Sequence, residues 1–397
     1  MKMTRLARAM LVCSVLALGV AACSSDKSSD TTTAATDTTA AATDTTAAAA
    51  TDTTVAAAVD TTAAAATDTT VAAAVDTTAA AAGAAGTKSV GMLFDITGRG
   101  DKSFNDAAAA GLDKAKAEFA DTTFSESAPT GDADRPERLK TLISQKTGLI
   151  VCVGFLWQTD CAAAAKANPG TSFAIIDSTI EEPNAVSLLF SEEQGSYLVG
   201  VAAALKSKTG KVGFIGGVRT NGIGIFEAGY KAGVLATNPK ATIEVKYATE
   251  PPDFSGFNDP AKGKAIGKAM FDAGIDVIFH AAGGTGSGMF AAAKESGKAP
   301  GDIWAIGVDS DQYLSVTAEN GKDFILTSML KRVDVATYEA IKAYQAGTPL
   351  SGESRFDLKR DGVGYSESNP AIADIKDKLE AAKADIISGK ITVPKVP

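Results

Sequence analysis

The chain has 397 residues, 45% of them hydrophobic and 21% charged, with a net charge of −9. Four basic and eight acidic residues precede Lys88, so the rest carries a net charge near −5, which excludes the basic footprint of a nucleic-acid-binding surface. One histidine, four cysteines and no CxxC spacing leave little material for metal coordination or for Ser–His and Cys–His catalysis.

At the start, Lys2, Arg5 and Arg8 precede the apolar run Ala9 to Val20, which is too short to span a bilayer and reads as a secretory signal. Small residues directly before Cys23 resemble the lipobox of bacterial lipoproteins. By that resemblance residues 1–22 are removed and Cys23 carries the lipid, which holds a soluble domain at the membrane. Residues 23–87 form a stretch of Ala, Thr, Asp and Val in which Asp-Thr-Thr recurs at Asp37, Asp44, Asp52, Asp60, Asp68 and Asp76. Alanine alone builds no core, so the stretch is expected to be a disordered tether with a reach of about 40–50 Å as a flexible coil.

From Lys88 onward, strand-like and helical patterns alternate. Strands are predicted at Val90–Asp95, Thr122–Glu126, Leu149–Gly154, Ser172–Asp177 and Val186–Phe190, then at Lys211–Gly216, Thr242–Ala248, Val277–His280, Ile303–Val308 and Phe324–Ser328. Predicted helices between them include Asn105–Phe119, Arg135–Lys146, Gln194–Lys208, Phe226–Thr237, Lys262–Phe271 and Val333–Gln345. Strands rich in Val, Ile and Phe on both faces mark buried parallel sheets, and alternation at this spacing gives doubly wound α/β units. The pattern restarts at Lys211-Val-Gly-Phe-Ile-Gly-Gly217. The expected organisation is therefore an N-terminal lobe (88–207), a C-terminal lobe (208–330) and a segment (331–397) that returns across both. Cys152 falls inside a predicted strand and Cys161 near the next helix. A disulfide between them is open, but buried free thiols are the expectation.

Ligands of open α/β sheets bind beyond the carboxyl ends of the strands. The first strand ends at Asp95 and is followed by Asp101-Lys-Ser-Phe-Asn105, which offers Ser103 and Asn105 as polar groups and Phe104 as an aromatic plate. Trp157, Phe226 and Phe257 also lie in strand-end loops or helix starts, where a ring can stack on a flat ligand, and Asp160 follows the third strand. Gly283 and Gly284 belong to a glycine loop whose N–H groups are free to meet polar oxygens, although it fits neither a Walker A loop nor a nucleophile elbow. Asp309 ends the strand of Ile306-Gly-Val-Asp309, and Lys331 follows the next strand. A carboxylate accepts two hydroxyl hydrogen bonds while a neighbouring ammonium donates to the same hydroxyls, which suits a vicinal diol. His280, ending a strand, is expected to be a core residue with one satisfied nitrogen. These features argue for binding without turnover, with no cofactor.

Several stretches are similar to the basic membrane protein family of ABC-transporter substrate-binding lipoproteins, of the purine-nucleoside-receptor type. They are Asp101-Lys-Ser-Phe-Asn105, Phe173-Ala-Ile-Ile-Asp177, Glu192-Glu-Gln-Gly-Ser196, Phe226-Glu-Ala-Gly-Tyr230 and Gly256-Phe-Asn-Asp-Pro-Ala-Lys-Gly263, followed by His280-Ala-Ala-Gly-Gly-Thr-Gly286, Gly307-Val-Asp-Ser-Asp-Gln312 and Thr327-Ser-Met-Leu-Lys-Arg-Val-Asp334. The resemblance implies two hinged lobes of the type I periplasmic-binding kind that close on a purine nucleoside. It implies that Asp309 and Lys331 hold the ribose and that Phe104 stacks on the base. Asp95 and Asn105 would add polar contacts, with Phe257 or Phe226 on the other face. It further implies a monomer at the outer face of the cell membrane with an ABC permease as partner. The loop Val218-Arg-Thr-Asn-Gly-Ile-Gly-Ile225 departs from the apolar, proline-bearing loop expected there. A receptor of the same fold for a sugar, an autoinducer or an amino acid stays open, as does a surface adhesin or signalling lipoprotein.

Overall fold

The computed structural model describes residues 88–397; the expected signal peptide (1–22), the lipid-bearing Cys23 and the tether (23–87) lie outside the described residues. The chain first lays down β1 (Ser89–Leu93), α1 (Phe104–Glu118), β2 (Thr123–Ser127), α2 (Arg135–Ser144), β3 (Leu149–Val153), α3 (Gln158–Ala167), β4 (Ser172–Ile176) and β5 (Ala185–Phe190). Next come α4 (Glu192–Lys206), β6 (Lys211–Val218), α5 (Asn221–Thr237), β7 (Thr242–Thr249), α6 (Pro260–Asp272), β8 (Val277–Ala281) and α7 (Gly286–Glu295). The remainder is β9 (Trp304–Asp309), α8 (Gln312–Ser315), β10 (Ile325–Lys331), α9 (Val333–Gln345), β11 (Gly352–Phe356), β12 (Val363–Tyr365) and α10 (Lys376–Ile387).

Two six-stranded sheets result, ordered β11-β5-β4-β3-β1-β2 and β12-β10-β9-β8-β6-β7. The first is parallel throughout; the second is parallel except where β12 pairs antiparallel with β10. In each, strand order reverses direction once, between β1 and β3 and again between β6 and β8. The strands are apolar on both faces because helices cover both: β3 is buried at every position, as is β9. In α1, Ala108, Leu112 and Ala115 recur at one-turn spacing and are fully buried.

The chain passes between the sheets after β5, after β10 and between β11 and β12. At these passages Ser191 N–H donates to the Phe356 carbonyl (3.0 Å), and Arg332 N–H donates to the Gly362 carbonyl (2.9 Å). The expected returning segment thus splits, with β11 on the first sheet and β12 on the second. Helix α4 precedes the expected boundary near residue 207, yet packs on α5 and on the strands of the second sheet. The two helices approach closely because Gly233 carries no side chain: a Cβ there would lie 2.1 Å from the Tyr197 carbonyl oxygen.

Two details differ from the sequence-based expectation. Helix α5 begins at Asn221 instead of Phe226, because the Thr220 hydroxyl caps it by accepting from Ile223 N–H (3.3 Å). Cys152 and Cys161 are not free thiols; they form a disulfide, both fully buried. A cysteine in a central strand reads locally as a small hydrophobe, whereas the tertiary structure joins it to Cys161 of α3, a helix that packs on β4 and α2.

Candidate functional site

A cavity of about 500 Å³ lies between the carboxyl ends of the two sheets. Asp95, Ile96 and Thr97 follow β1; Gly154 and Phe155 follow β3; Asp177 follows β4; Phe190 ends β5. From the other sheet come the start of α5 after β6, Ala281 to Gly283 at the end of β8, Asp309 ending β9 and Lys331 ending β10. They include the strand ends on both sides of each reversal of strand order, β1 with β3 and β6 with β8, where open α/β sheets place ligands, and extend from there to the ends of β4, β5, β9 and β10.

Lys331 is the electrostatic centre. It is 2% exposed, and its ammonium pairs with Asp177 from the opposite lobe and with Glu192 Oε1 at 3.0 Å. Its Nζ also lies 5.2 Å from the centre of the Phe104 ring, 5.0 Å from that of Phe190 and 5.5 Å from that of Phe226. Although burial opposes the charge, the surrounding carboxylates of Asp177, Glu192 and Asp309 raise the ammonium pKa above its usual range. Leu330 on β10 pairs in register with Asp309 on β9, so lysine and aspartate stand at adjacent strand ends, as the sequence spacing suggested.

Asp309 and Asp177 each adopt the left-handed backbone region (φ 62° at both), which non-glycine residues enter at a cost of about 1 kcal/mol or more. Burial pushes the Asp309 carboxyl up to about 7 and that of Asp177 up to about 6, against the lowering effect of Lys331. Ser103 is fully buried, and its hydroxyl donates to Asp309 Oδ2 (2.5 Å) across the cleft. Ser103 therefore does not line the cavity, contrary to its expected role; it orients the carboxylate that does.

On the other wall, Asp95 is 8% exposed and burial raises its carboxyl to about 6, while Arg135 Nη2 lies 3.8 Å from its Oδ1. Asn105 lines the cavity, but its amide is engaged inside its own loop: its oxygen accepts from Asp95 N–H (2.9 Å), and its nitrogen donates to the Thr97 hydroxyl (2.7 Å). Asp101 caps α1 by accepting from the N–H groups of Ser103 (2.9 Å), Asn105 (2.8 Å) and Asp106 (3.1 Å), and it also lines the cavity. Phe104, the first residue of α1, Phe226 and Phe257 all face the same space, as does Gly283.

Besides Ser103, three further expected site residues do not. Trp157 is fully buried, with its indole N–H donating to the Phe94 carbonyl (3.0 Å). Asp160 sits in the first turn of α3, away from the cavity. Gly284 lines a neighbouring crevice of about 560 Å³ between the loop at residues 99–102 and helices α6 and α7. His280 is buried, with Nε2 3.0 Å from Gln312 Oε1. Since Gln312 Nε2 donates to the Lys102 carbonyl across the cleft (3.1 Å), its Oε1 is the acceptor and His280 Nε2 the donor. Burial pushes the imidazole down to about 4, so it is neutral and helps brace the lobes.

Asp177, Phe190, Glu192 and Phe155 were not singled out from the sequence. Asp177 carries the signal that marked Asp95 and Asp309, a carboxylate ending an apolar strand. Glu192, the first residue of α4, stands at a helix start and lacks that signal.

Comparison with known proteins gives a concordant result. The sequence pattern of the Bmp family, described as ABC transporter substrate-binding protein PnrA-like, matches residues 88–396. A CD4+ T-cell-stimulating antigen of Listeria monocytogenes is 40% identical over 326 residues, covering 78% of this chain and 88% of that protein. The ABC transporter nucleoside-binding protein BmpA of Lactococcus lactis is 37% identical over 319 residues, covering 76% and 88%. Among solved structures, an ABC transporter solute-binding protein from Aeropyrum pernix superposes with a TM-score of 0.67 at 30% identity, covering 77% of this chain and 94% of that one.

Proposed function

This chain belongs to the Bmp family of PnrA-like ABC transporter substrate-binding proteins, and from that premise we propose that its ligand is a purine nucleoside held between the two lobes. The family is one of binding proteins, not enzymes, and the fold is the two-lobed α/β arrangement of type I periplasmic binding proteins. As the ligand-binding component of an ABC transporter, the chain works with a membrane permease and a small ligand.

The observation that carries the nucleoside reading is the row of Asp177, Lys331 and Asp309 beside three aromatic rings. The buried carboxylate of Asp309 and the half-buried one of Asp177, flanking one ammonium, match the donors and acceptors of a vicinal diol. The Phe104 ring stands next to that row, and Phe226 and Phe257 line the same space, an arrangement suited to a flat base joined to a ribose. Hinged closure of the lobes at the three chain passages is the mechanism, with no bond made or broken. Cys23 carries the lipid in this reading, and the tether holds the lobes at the outer membrane face beside the permease.

Titration calorimetry with adenosine, guanosine and inosine tests the ligand class. Saturable binding of at least one supports it; tight binding of a sugar or an amino acid with none of the three nucleosides overturns it. Replacing Cys23 by Ala should move the protein from the membrane fraction to the medium, and retention at the membrane would defeat the anchoring reading.

A further inference from the structure

The disulfide closes a short ring in the chain, with Cys152 in β3 and Cys161 in α3 separated by nine positions. The loop just after Cys152 braces the first wall of the ligand cavity. Gly154 adopts φ 99°, and a Cβ there would lie 2.7 Å from Asp95 Oδ2 and 3.4 Å from the Phe104 ring, so this backbone rests directly on the first wall. Trp157 ties the same loop to the end of β1 through its bond to the Phe94 carbonyl. Phe155, between these anchors, lines the cavity and reaches across to the other lobe. Its ring meets that of Phe254 edge-on, with centres 5.8 Å apart and planes at 65°.

Phe254 is equally well held. It begins a turn (Phe254–Phe257) capped by Asp253, whose carboxylate accepts from Ser255 N–H (3.0 Å). The Thr285 hydroxyl donates to the Gly256 carbonyl (2.7 Å), fixing the turn to the glycine loop. Both rings are half-buried, and each sits on a loop pinned before any ligand arrives.

We propose that the disulfide-closed loop 152–161 is a preset lip of the cleft, and that Phe155 and Phe254 form an aromatic clasp that holds the lobes shut on the ligand. The clasp sets how long the ligand stays, while the polar row at Lys331 sets what is recognised. This rests on the cleft being the ligand site, not on the ligand being a nucleoside. An edge-on pair of this kind corresponds to a threefold to tenfold change in an equilibrium or rate, about 0.5–1.5 kcal/mol.

The test is stopped-flow dissociation of guanosine and adenosine from the full chain bearing Phe254→Leu, Phe155→Leu or both. Each single change should speed dissociation about threefold to tenfold with little effect on association. The double change should add little to either single one, because one contact is lost only once. Unchanged dissociation in Phe254→Leu, or effects that add, would sink the clasp. Cys152→Ala with Cys161→Ala should likewise speed dissociation; a lowered melting temperature with unaltered dissociation would reduce the disulfide to a purely structural role. Should no nucleoside bind, the proposed ligand fails but the clasp is still decided. Spin labels at Lys140→Cys and Lys268→Cys, on opposite lobes, report the lobe separation of the protein as purified. Phe254→Leu should enlarge the open population, and an unaltered distance distribution overturns the clasp.

Discussion

Lys331 concentrates more of the molecule's electrostatics than any neighbouring side chain, because three carboxylates from both lobes converge on one buried ammonium. Removing one partner of a buried ionic cluster leaves the others uncompensated, at a typical cost of about 3–5 kcal/mol. Lys331→Met should therefore lower unfolding stability by an amount of that order, measured by denaturant titration, and abolish detectable ligand binding in calorimetry. Asp309 makes the site sensitive to pH. Its folded-state pKa, near 7, lies above the ordinary carboxylate value of 3.8. The unfolded chain therefore loses this proton first, and the group's contribution to the stability of the ligand-free protein declines as pH rises from about 4 through 7. Ligand affinity runs the opposite way, since protonation turns one carboxyl oxygen into a donor and removes the charge that strengthens hydrogen bonds from two hydroxyls. Affinity should fall up to about tenfold per pH unit below 7, as seen by calorimetry, and Asp309→Asn should weaken binding at pH 8 and flatten that slope.

At the scale of elements, the cleft is built where parallel strands end, and the strand-end loops carry the close fits. Gly154 has φ 99° and faces the Asp95 carboxylate. Gly154→Ala should combine backbone strain with displacement of that carboxylate, costing about 1–3 kcal/mol in stability and weakening binding measurably. A variant with wild-type affinity would show that the first wall tolerates adjustment. The strands themselves were legible because runs such as Leu149–Val153 are apolar on both faces, and the ends of β1 and β9 were legible as acidic. Other features were not. Strand β11 reads Gly-Glu-Ser-Arg-Phe and has no apolar run, so its pairing with β5 depends on the neighbouring edge rather than on its own pattern. Trp157 and Phe104 give the same local signal, an aromatic just past a strand. Only the indole's hydrogen bond to the Phe94 carbonyl turns Trp157 into the core, while Phe104 is left facing the cavity.

For the whole molecule, the two lobes join at three chain passages and meet across the cleft through Ser103 with Asp309, Lys102 with Gln312, and Asp177 with Lys331. A ligand that binds only the folded, closed arrangement adds its binding energy to stability. Guanosine or inosine at a hundred times its dissociation constant should add about 2.7 kcal/mol and raise the melting temperature by about 4 °C. A melting temperature unmoved by a nucleoside that binds in calorimetry would mean that the unfolded chain binds it equally well. The alternation of apolar runs and helices determined by itself that the chain builds two α/β arrays, and that Asp95 and Asp309 stand at strand ends, because burial on both strand faces and the turn after each strand are local requirements. Which strand ends face one another was decided only by the tertiary structure. The three passages set the lobes in opposition, so Asp177 is brought to Lys331 across 154 positions of sequence by a geometry that no local pattern encodes.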